Sequence, residues 1–262
     1  RRTVTATDPA YFKRSYTPTT GRVGLIYDIT PAANVYVQYS TAADPPAGIL
    51  TTASFSQVRD FDLTTGKQFE VGSKLDFLQG RGTATLAAYT ITRKNIAMTD
   101  PNNPGTTIPV GQQSSRGIEL AASLKMTRKL LAQGNYSYVD AQYDDFTEKV
   151  GTVAVSRAGN TPTNIPARVA NLWLIYSFTP EWQGGIDARY VASRYGNTAN
   201  TVSDPAYTLY GAFAAYRFQK NSSLTARVRN LADKVYAASV TGTPMFYLGA
   251  PRTLEVALQT GF

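Results

Sequence analysis

Residues 69–96, FEVGSKLDFLQGRGTATLAAYTITRKNI, decide the fold. Along the first arm Phe69, Val71, Leu75 and Phe77 share one parity, and Glu70, Lys74 and Asp76 share the other. Alternation in steps of two marks an extended strand with two unlike faces. The turn LQG follows, and a second strand is expected over 81–93. Each arm runs to about a dozen residues, where soluble strands have about five or six and tilted membrane-spanning strands about nine to eleven.

The pattern repeats outward from this hairpin. Strands are expected at 17–28, 34–42, 67–78, 81–93, 112–126, 129–144, 167–179, 181–194, 206–218, 222–237 and 250–262, with residues 1–7 as the tail of another. In 112–126, Ile118, Leu120, Ala122, Leu124 and Met126 oppose Glu119, Ser123 and Lys125. In 181–194, Trp182, Ile186, Ala188, Tyr190 and Ala192 oppose Gln183, Asp187 and Arg189. In 222–237, Leu224, Ala226 and Val228 oppose Thr225, Arg227 and Arg229. The connections alternate in length. DITPAAN, LQG, MTR, TPE and QKN are tight turns, and between them lie long loops at 43–66, 94–111, 145–166, 195–205 and 238–249. A meander built this way has two unlike ends, as outer-membrane barrels have.

Alternation alone also fits a half-buried strand of a soluble sandwich. Strand length, loop asymmetry and aromatic residues near segment ends favour the membrane. These aromatics are Tyr27, Tyr39, Phe77, Tyr136, Tyr138, Tyr176, Phe178, Trp182, Tyr190 and Phe218, and such girdles mark both membrane interfaces. The expected fold is all-β, an antiparallel up-and-down transmembrane β-barrel. Its apolar parity faces lipid and its charged parity a polar lumen. Backbone groups in hydrocarbon must pair within the sheet, so the barrel is expected to close.

Composition narrows the function. The 262 residues hold no Cys and no His, which removes Ser-His-Asp and Cys-His catalysis and the usual zinc sites from this chain. No phosphate-binding Gly-rich loop is present. Asp144 and Asp145 are adjacent, so they point to opposite faces of a strand and make a poor acid/base pair. No catalytic residue, metal site or cofactor is expected. The net charge of +8 is scattered singly, without the clustering that a nucleic-acid site shows. No apolar run reaches the ~20 residues of a membrane helix, which excludes helical spans only. The opening RRTVTATDPAYF reads as the middle of a longer chain.

Several stretches resemble the C-terminal half of a TonB-dependent outer-membrane receptor of the ferric-siderophore subfamily. The opening hairpin resembles that family's E-x-G-x-K strand at Glu70, Gly72 and Lys74. VGQQSSRGIELAASL resembles the segment with R-G-x-E, at Arg116, Gly117 and Glu119. NIPARVANLWLIYSF resembles the x-x-P-x-H strand, with Arg168 where histidine is common. VRNLADKVYAASV resembles N-L-x-D-x-x-Y, at Asn230, Leu231, Asp233 and Tyr236. GAPRTLEVALQTGF resembles the G-x-P-R strand that ends the family's chains, at Gly249, Pro251, Arg252 and Phe262.

The resemblance implies that residues 1–262 are the C-terminal portion, about 11–12 strands, of a barrel of about 22 strands around a plugged lumen. It implies an integral protein of the Gram-negative outer membrane that imports a ferric siderophore, energised by TonB through an N-terminal plug region not in this chain. Cobalamin, haem or a saccharide as ligand, and a passive porin-like pore, stay open as alternatives. Loop and rim residues suited to a bulky anionic chelate are Tyr11, Phe12, Phe55, Arg59, Arg157, Arg194, Tyr195, Phe246 and Tyr247. Lumen charges at Glu70, Lys74, Glu119, Lys125, Asp187, Arg189, Arg227, Arg229 and Glu255 are expected to pair across strands or with the plug. Leu254, Val256, Leu258 and Phe262 form the terminal signal that the barrel-assembly machinery reads in the family. Lipopolysaccharide and outer-membrane lipid are the remaining expected partners; nucleic acid is not.

Overall fold

The computed structural model describes residues 15–45, 61–100, 107–241 and 245–261. Its elements are strands: β1 (Arg22–Thr30), β2 (Ala33–Asp44), β3 (Thr64–Phe77), β4 (Gly82–Thr99), β5 (Thr107–Lys125), β6 (Leu130–Asp145), β7 (Thr147–Val150), β8 (Val153–Ser156), β9 (Arg168–Ser177), β10 (Trp182–Val191), β11 (Arg194–Tyr195), β12 (Ser203–Asp204), β13 (Tyr207–Gln219), β14 (Ser222–Arg229), β15 (Ala237–Thr241), β16 (Met245–Leu248) and β17 (Thr253–Gln259). Eleven of them make one antiparallel meander in the order β1-β2-β3-β4-β5-β6-β9-β10-β13-β14-β17. The other six pair as three small hairpins, β7–β8, β11–β12 and β15–β16, in the long loops. β1 and β17 are the sheet edges and do not pair with each other among the described residues.

Register carries the alternation across the whole sheet. One rung runs Leu25, Val37, Val71, Ala88, Ile118, Tyr138. Another runs Leu124, Ala132, Leu174, Ile186, Ala212, Val228, Leu254. A one-residue slip in any strand would turn its apolar set to the other face, so eleven strands agreeing on one face fixes the register. That face is bare: Leu25, Val71, Ile118, Ile186 and Leu254 are all exposed. Phe77, Tyr176, Phe178, Trp182, Tyr216 and Phe218 gather towards the short turns, where Trp182 stacks on Tyr216 with ring centroids 4.6 Å apart and Tyr176 meets Phe178 edge-on at 5.0 Å. An apolar wall with an aromatic border is what hydrocarbon selects.

Three expectations need correction. Residues 94–99 and 107–111 are strand, because β4 and β5 stay paired from Lys94–Gln112 up to Thr99–Thr107. Ile96, Met98, Ile108 and Val110 hold that extension against Tyr143 and Phe146, a packing gain that outweighs Gly111 and Pro109. Residues 222–237 are not one strand; β14 stops at Arg229 and a turn precedes β15. Charge is also not confined to the inward parity: Arg116 and Arg168 share the parity of Ile118 and Ala170 and lie on the rungs of the apolar face, at its long-loop end.

Candidate functional site

The inward face of the wall is polar and lightly held. Tyr36 Oη donates to Glu70 Oε1 at 2.7 Å and Gln68 Nε2 to Glu70 Oε2 at 2.9 Å, so hydroxyl and amide groups satisfy this carboxylate where a cross-strand cation was expected. The motif glycines have a steric reason. A Cβ on Gly72 would lie 2.5 Å from the Tyr36 ring, and one on Gly117 2.6 Å from Tyr89 Oη. Each glycine thus seats a tyrosine flat on the neighbouring strand. Arg229 pairs with Glu255 at 2.7 Å, and Arg227 lies over the Phe213 ring at 5.4 Å. No ion pair joins Lys74, Glu119, Lys125, Asp187 or Arg189 to another described residue.

The motifs at 230–236 and 249–252 are one interlocked corner. Asn230 is buried in a left-handed conformation. Its amide donates to the carbonyls of Lys234 at 2.9 Å and Ala250 at 3.0 Å and accepts from the Lys234 amide at 2.9 Å. Asp233 accepts the Arg252 backbone amide at 2.8 Å, and Gly249 N donates to Tyr236 O at 2.9 Å. A Cβ at Gly249 would run into the Tyr236 ring. Leu231 stays half exposed. These residues turn the chain out of β14 and return it to β17, on which Leu254, Val256 and Leu258 are exposed.

Beyond the wall the long loops form a packed layer. Val110, Tyr143 and Phe146 are its core, and the Tyr143 and Phe146 rings lie 4.8 Å apart. Glu148 is buried between Arg157, at 2.6 Å, and the Thr198 hydroxyl, at 2.7 Å. Arg194 is buried against Asp204 at 3.0 Å and donates to Ala237 O at 2.6 Å. Both arginines are therefore engaged within the layer. Asparagines tie the loops together. Asn164 Nδ2 donates to Val240 O at 2.6 Å and its Oδ1 accepts Val240 N at 2.8 Å; Asn160 donates to Thr198 O at 2.8 Å; Asn200 bonds Thr161 in both directions. Sequence reasoning missed Asn160 and Asn164 because RAGNTPTNIP reads equally well as a string of turn formers, and Asn200 because it lies in another such loop. Burial pushes the Tyr143 hydroxyl up, against its hydrogen bonds with Thr163, and Glu148 adds to the rise. Burial also acts to raise Asp144, but hydrogen bonds from Gln112, Ser114 and Gln142 outweigh it and hold that carboxyl below its ordinary value.

Of the sequence-predicted ligand contacts, Phe246 and Tyr247 stand exposed on β16, in a run with Met245 and Leu248. Tyr195 is half-buried in β11. Tyr11, Phe12, Phe55, Arg59 and the terminal Phe262 lie outside the described residues.

An antiparallel wall, apolar outward and polar inward with a packed loop layer at one end, belongs to the class of outer-membrane β-barrels. The TonB-dependent receptor-like β-barrel family model matches residues 1–231, and the chain belongs to that family, whose members are transporters and receptors of the Gram-negative outer membrane. It is 31% identical to the metal-pseudopaline receptor CntO of Pseudomonas aeruginosa over 95% of this chain and 34% of that one. It is 29% identical to the ferrichrome outer membrane transporter/phage receptor of Escherichia coli, over 92% of this chain and 32% of that one. The crystal structure of the siderophore receptor PiuA from Acinetobacter baumannii superposes with a TM-score of 0.76 at 26% identity, covering 92% of this chain and 35% of that one. The chain spans about a third of the length of the curated relatives it matches.

Proposed function

We propose that this chain is the C-terminal portion of the barrel of an outer-membrane importer for a ferric siderophore, energised by TonB and catalysing no covalent reaction. The observation that carries the reading is family membership together with relatives named as siderophore receptors. The remaining strands and a plug supply what a closed, gated barrel needs; the inward Glu70, Glu119 and Arg189 face the lumen that a plug fills. Capture falls to the loop layer. Phe246 and Tyr247 offer apolar and aromatic surface on β16, paired with β15, which Arg194 and Asn164 tie to the loop layer. The similarity to a metal-pseudopaline receptor supports a second reading, a chelate of a metal other than iron.

Growth of a receptor deletion strain on single ferric siderophores under iron limitation tests the substrate. Complementation should restore growth on at least one, and Phe246→Ala with Tyr247→Ala should lower uptake of that one. Unchanged uptake of every ferric siderophore, with restored uptake of another metal's chelate, selects the second reading.

A further inference from the structure

Charge is shared unevenly over the inward face. On β10, β13 and β14 the inward positions hold Arg189, Arg217, Arg227 and Arg229, with Asp187 as the one carboxylate on those strands. Arg189 lies beside Leu209 near the long loops, and Arg217 lies beside Ser223 near the short turns. The file thus covers about 27 Å of wall at the usual rise of a strand. Arg229 takes Glu255 at 2.7 Å, and Glu255 is the residue directly across from Arg227. Arg227 is left with the Phe213 ring, 5.4 Å away, and the Arg217 side chain has no partner among the described residues.

Arg217 and Arg227 line one concavity of about 480 Å³ at the short-turn end, with Gln183, Phe213, Thr225 and Glu181. Its floor is fixed: Phe213 lies across Gly185, where a Cβ would sit 2.6 Å from the ring, so the aromatic face is held under Arg227. Glu181, the one carboxylate among the lining residues, is turned back on its own loop, where its Oε2 accepts the Thr179 hydroxyl at 2.9 Å. The volume falls in the ~300–1,000 Å³ range of small-molecule sites. Two guanidinium groups without a carboxylate partner, beside an aromatic face, suit a bulky, multiply charged anion with flat faces.

We propose that this concavity is an exit site, where an anionic ferric chelate is held before it leaves through the short-turn mouth. The inference rests on the reading of the chain as part of a chelate importer. It adds the charge class of the cargo and a second place that holds it, at the opposite end of the wall from the loop layer. Passage needs each hold to be favourable enough to enter and weak enough to leave. A file of single arginines, one already shared with Glu255, meets both needs.

The test is equilibrium dialysis of the full-length receptor in nonionic detergent. The probes are a trianionic ferric tricatecholate and a neutral ferric trihydroxamate. The variant is Arg217→Gln with Arg227→Gln; Lys125→Gln, another inward cation at the short-turn end, is the control. Heat-dependent gel mobility confirms that each has folded. The tricatecholate should occupy two sites on the intact receptor. One is lost in Phe246→Ala with Tyr247→Ala; the other weakens at least ~10-fold in the arginine variant, since two charge-assisted contacts go with it. The control should match the intact receptor, and the trihydroxamate should show no arginine-dependent site. Loss of the loop site alone counts against the proposed capture role of Phe246 and Tyr247 and leaves the exit site standing. Equal tricatecholate binding by the intact receptor and the arginine variant overturns the exit site. Arginine-dependent binding of the neutral chelate to the same extent also overturns it, because charge is then not what is read. Displacement by inorganic phosphate at matching concentration assigns the arginines to a small free anion and overturns the chelate. Faster proteolysis of the plug in the arginine variant, with tricatecholate binding unchanged, gives the arginines to the plug and overturns it too.

Discussion

The wall and the loop layer are one chain folded for two solvents. In the wall, large apolar side chains such as Leu120, Ile186 and Leu254 are exposed, and the ion pair Arg229–Glu255 is open, with side chains 60% and 45% exposed. In the loop layer the order inverts. Val110, Tyr143, Phe146 and Val240 are buried, and the pairs Glu148–Arg157 and Arg194–Asp204 are sunk among them. Every buried side-chain nitrogen or oxygen among the described residues has a partner. The wall's cohesion is its backbone ladder, whose hydrogen bonds have no competing water in a membrane. The loop layer must instead build a small water-facing core of its own.

The largest expected contrast is between two carboxylates. Asp204→Ala strands the buried Arg194 guanidinium, a loss of about 3–5 kcal/mol. Glu255→Ala frees an exposed arginine in the wall and should cost ~0–1 kcal/mol. Hydrogen exchange at 194–204 and 237–241, beside thermal unfolding, measures both, and equal effects would break the two-solvent picture. Arginine scanning sharpens it from the apolar side. Leu120→Arg puts a charge in hydrocarbon, at about 2–4 kcal/mol near the midplane, measured by urea unfolding in bilayers. Val153→Arg, at an exposed apolar position of β8, should stay within about 0.5 kcal/mol because its surroundings are water. Similar costs at both sites would mean that the loop layer is not in water. Asn164→Ala removes two hydrogen bonds to Val240 and should cost about 2 kcal/mol locally. Faster exchange is expected at Val240 with the wall unchanged; unchanged exchange at Val240 would show that the loops do not depend on this tie.

The same inversion explains what was legible in the sequence. Period-two alternation at 69–77, 118–126 and 182–192 recurs on one face of long strands, and short turns pin the register, so the wall could be written down from the residues alone. Motif positions such as Gly72, Gly117, Asn230 and Asp233 were visible as residues, while their reasons were not. A tyrosine seated on a glycine, or an asparagine amide bridging Lys234 and Ala250, joins residues that only the sheet brings together. The loop layer was least legible. Its cohesion comes from contacts such as Asn164–Val240 and Glu148–Thr198, separated by 76 and 50 residues, between segments with no periodicity. The outward cations were hidden differently: Arg116 and Arg168 keep the strand period and break only its chemistry, so recognising them requires knowing where the apolar band ends.

The smallest expected effect lies where the two regions meet. Asp144 sits above the apolar band, joined to Gln112, Ser114 and Gln142. Its carboxyl is held below the ordinary value because those donors favour the charged form more than burial opposes it. A depressed folded-state pKa contributes stability that is present above the unfolded value, about 3.9 for aspartate, and is lost as pH falls through the lower folded value. Acidification from neutral to below that value should therefore loosen the upper part of the β5–β6 pair before it touches the rungs lower in the wall, where backbone pairing is indifferent to pH. Hydrogen exchange over 110–116 and 140–145, compared with 118–124, reads the difference. In Asp144→Asn the amide can still accept a hydrogen bond but cannot titrate, so the acid-induced rise over 110–116 should shrink. If the rise persists unchanged in that variant, another group controls it, and Asp144 is no more than a partner for Gln112 and Ser114.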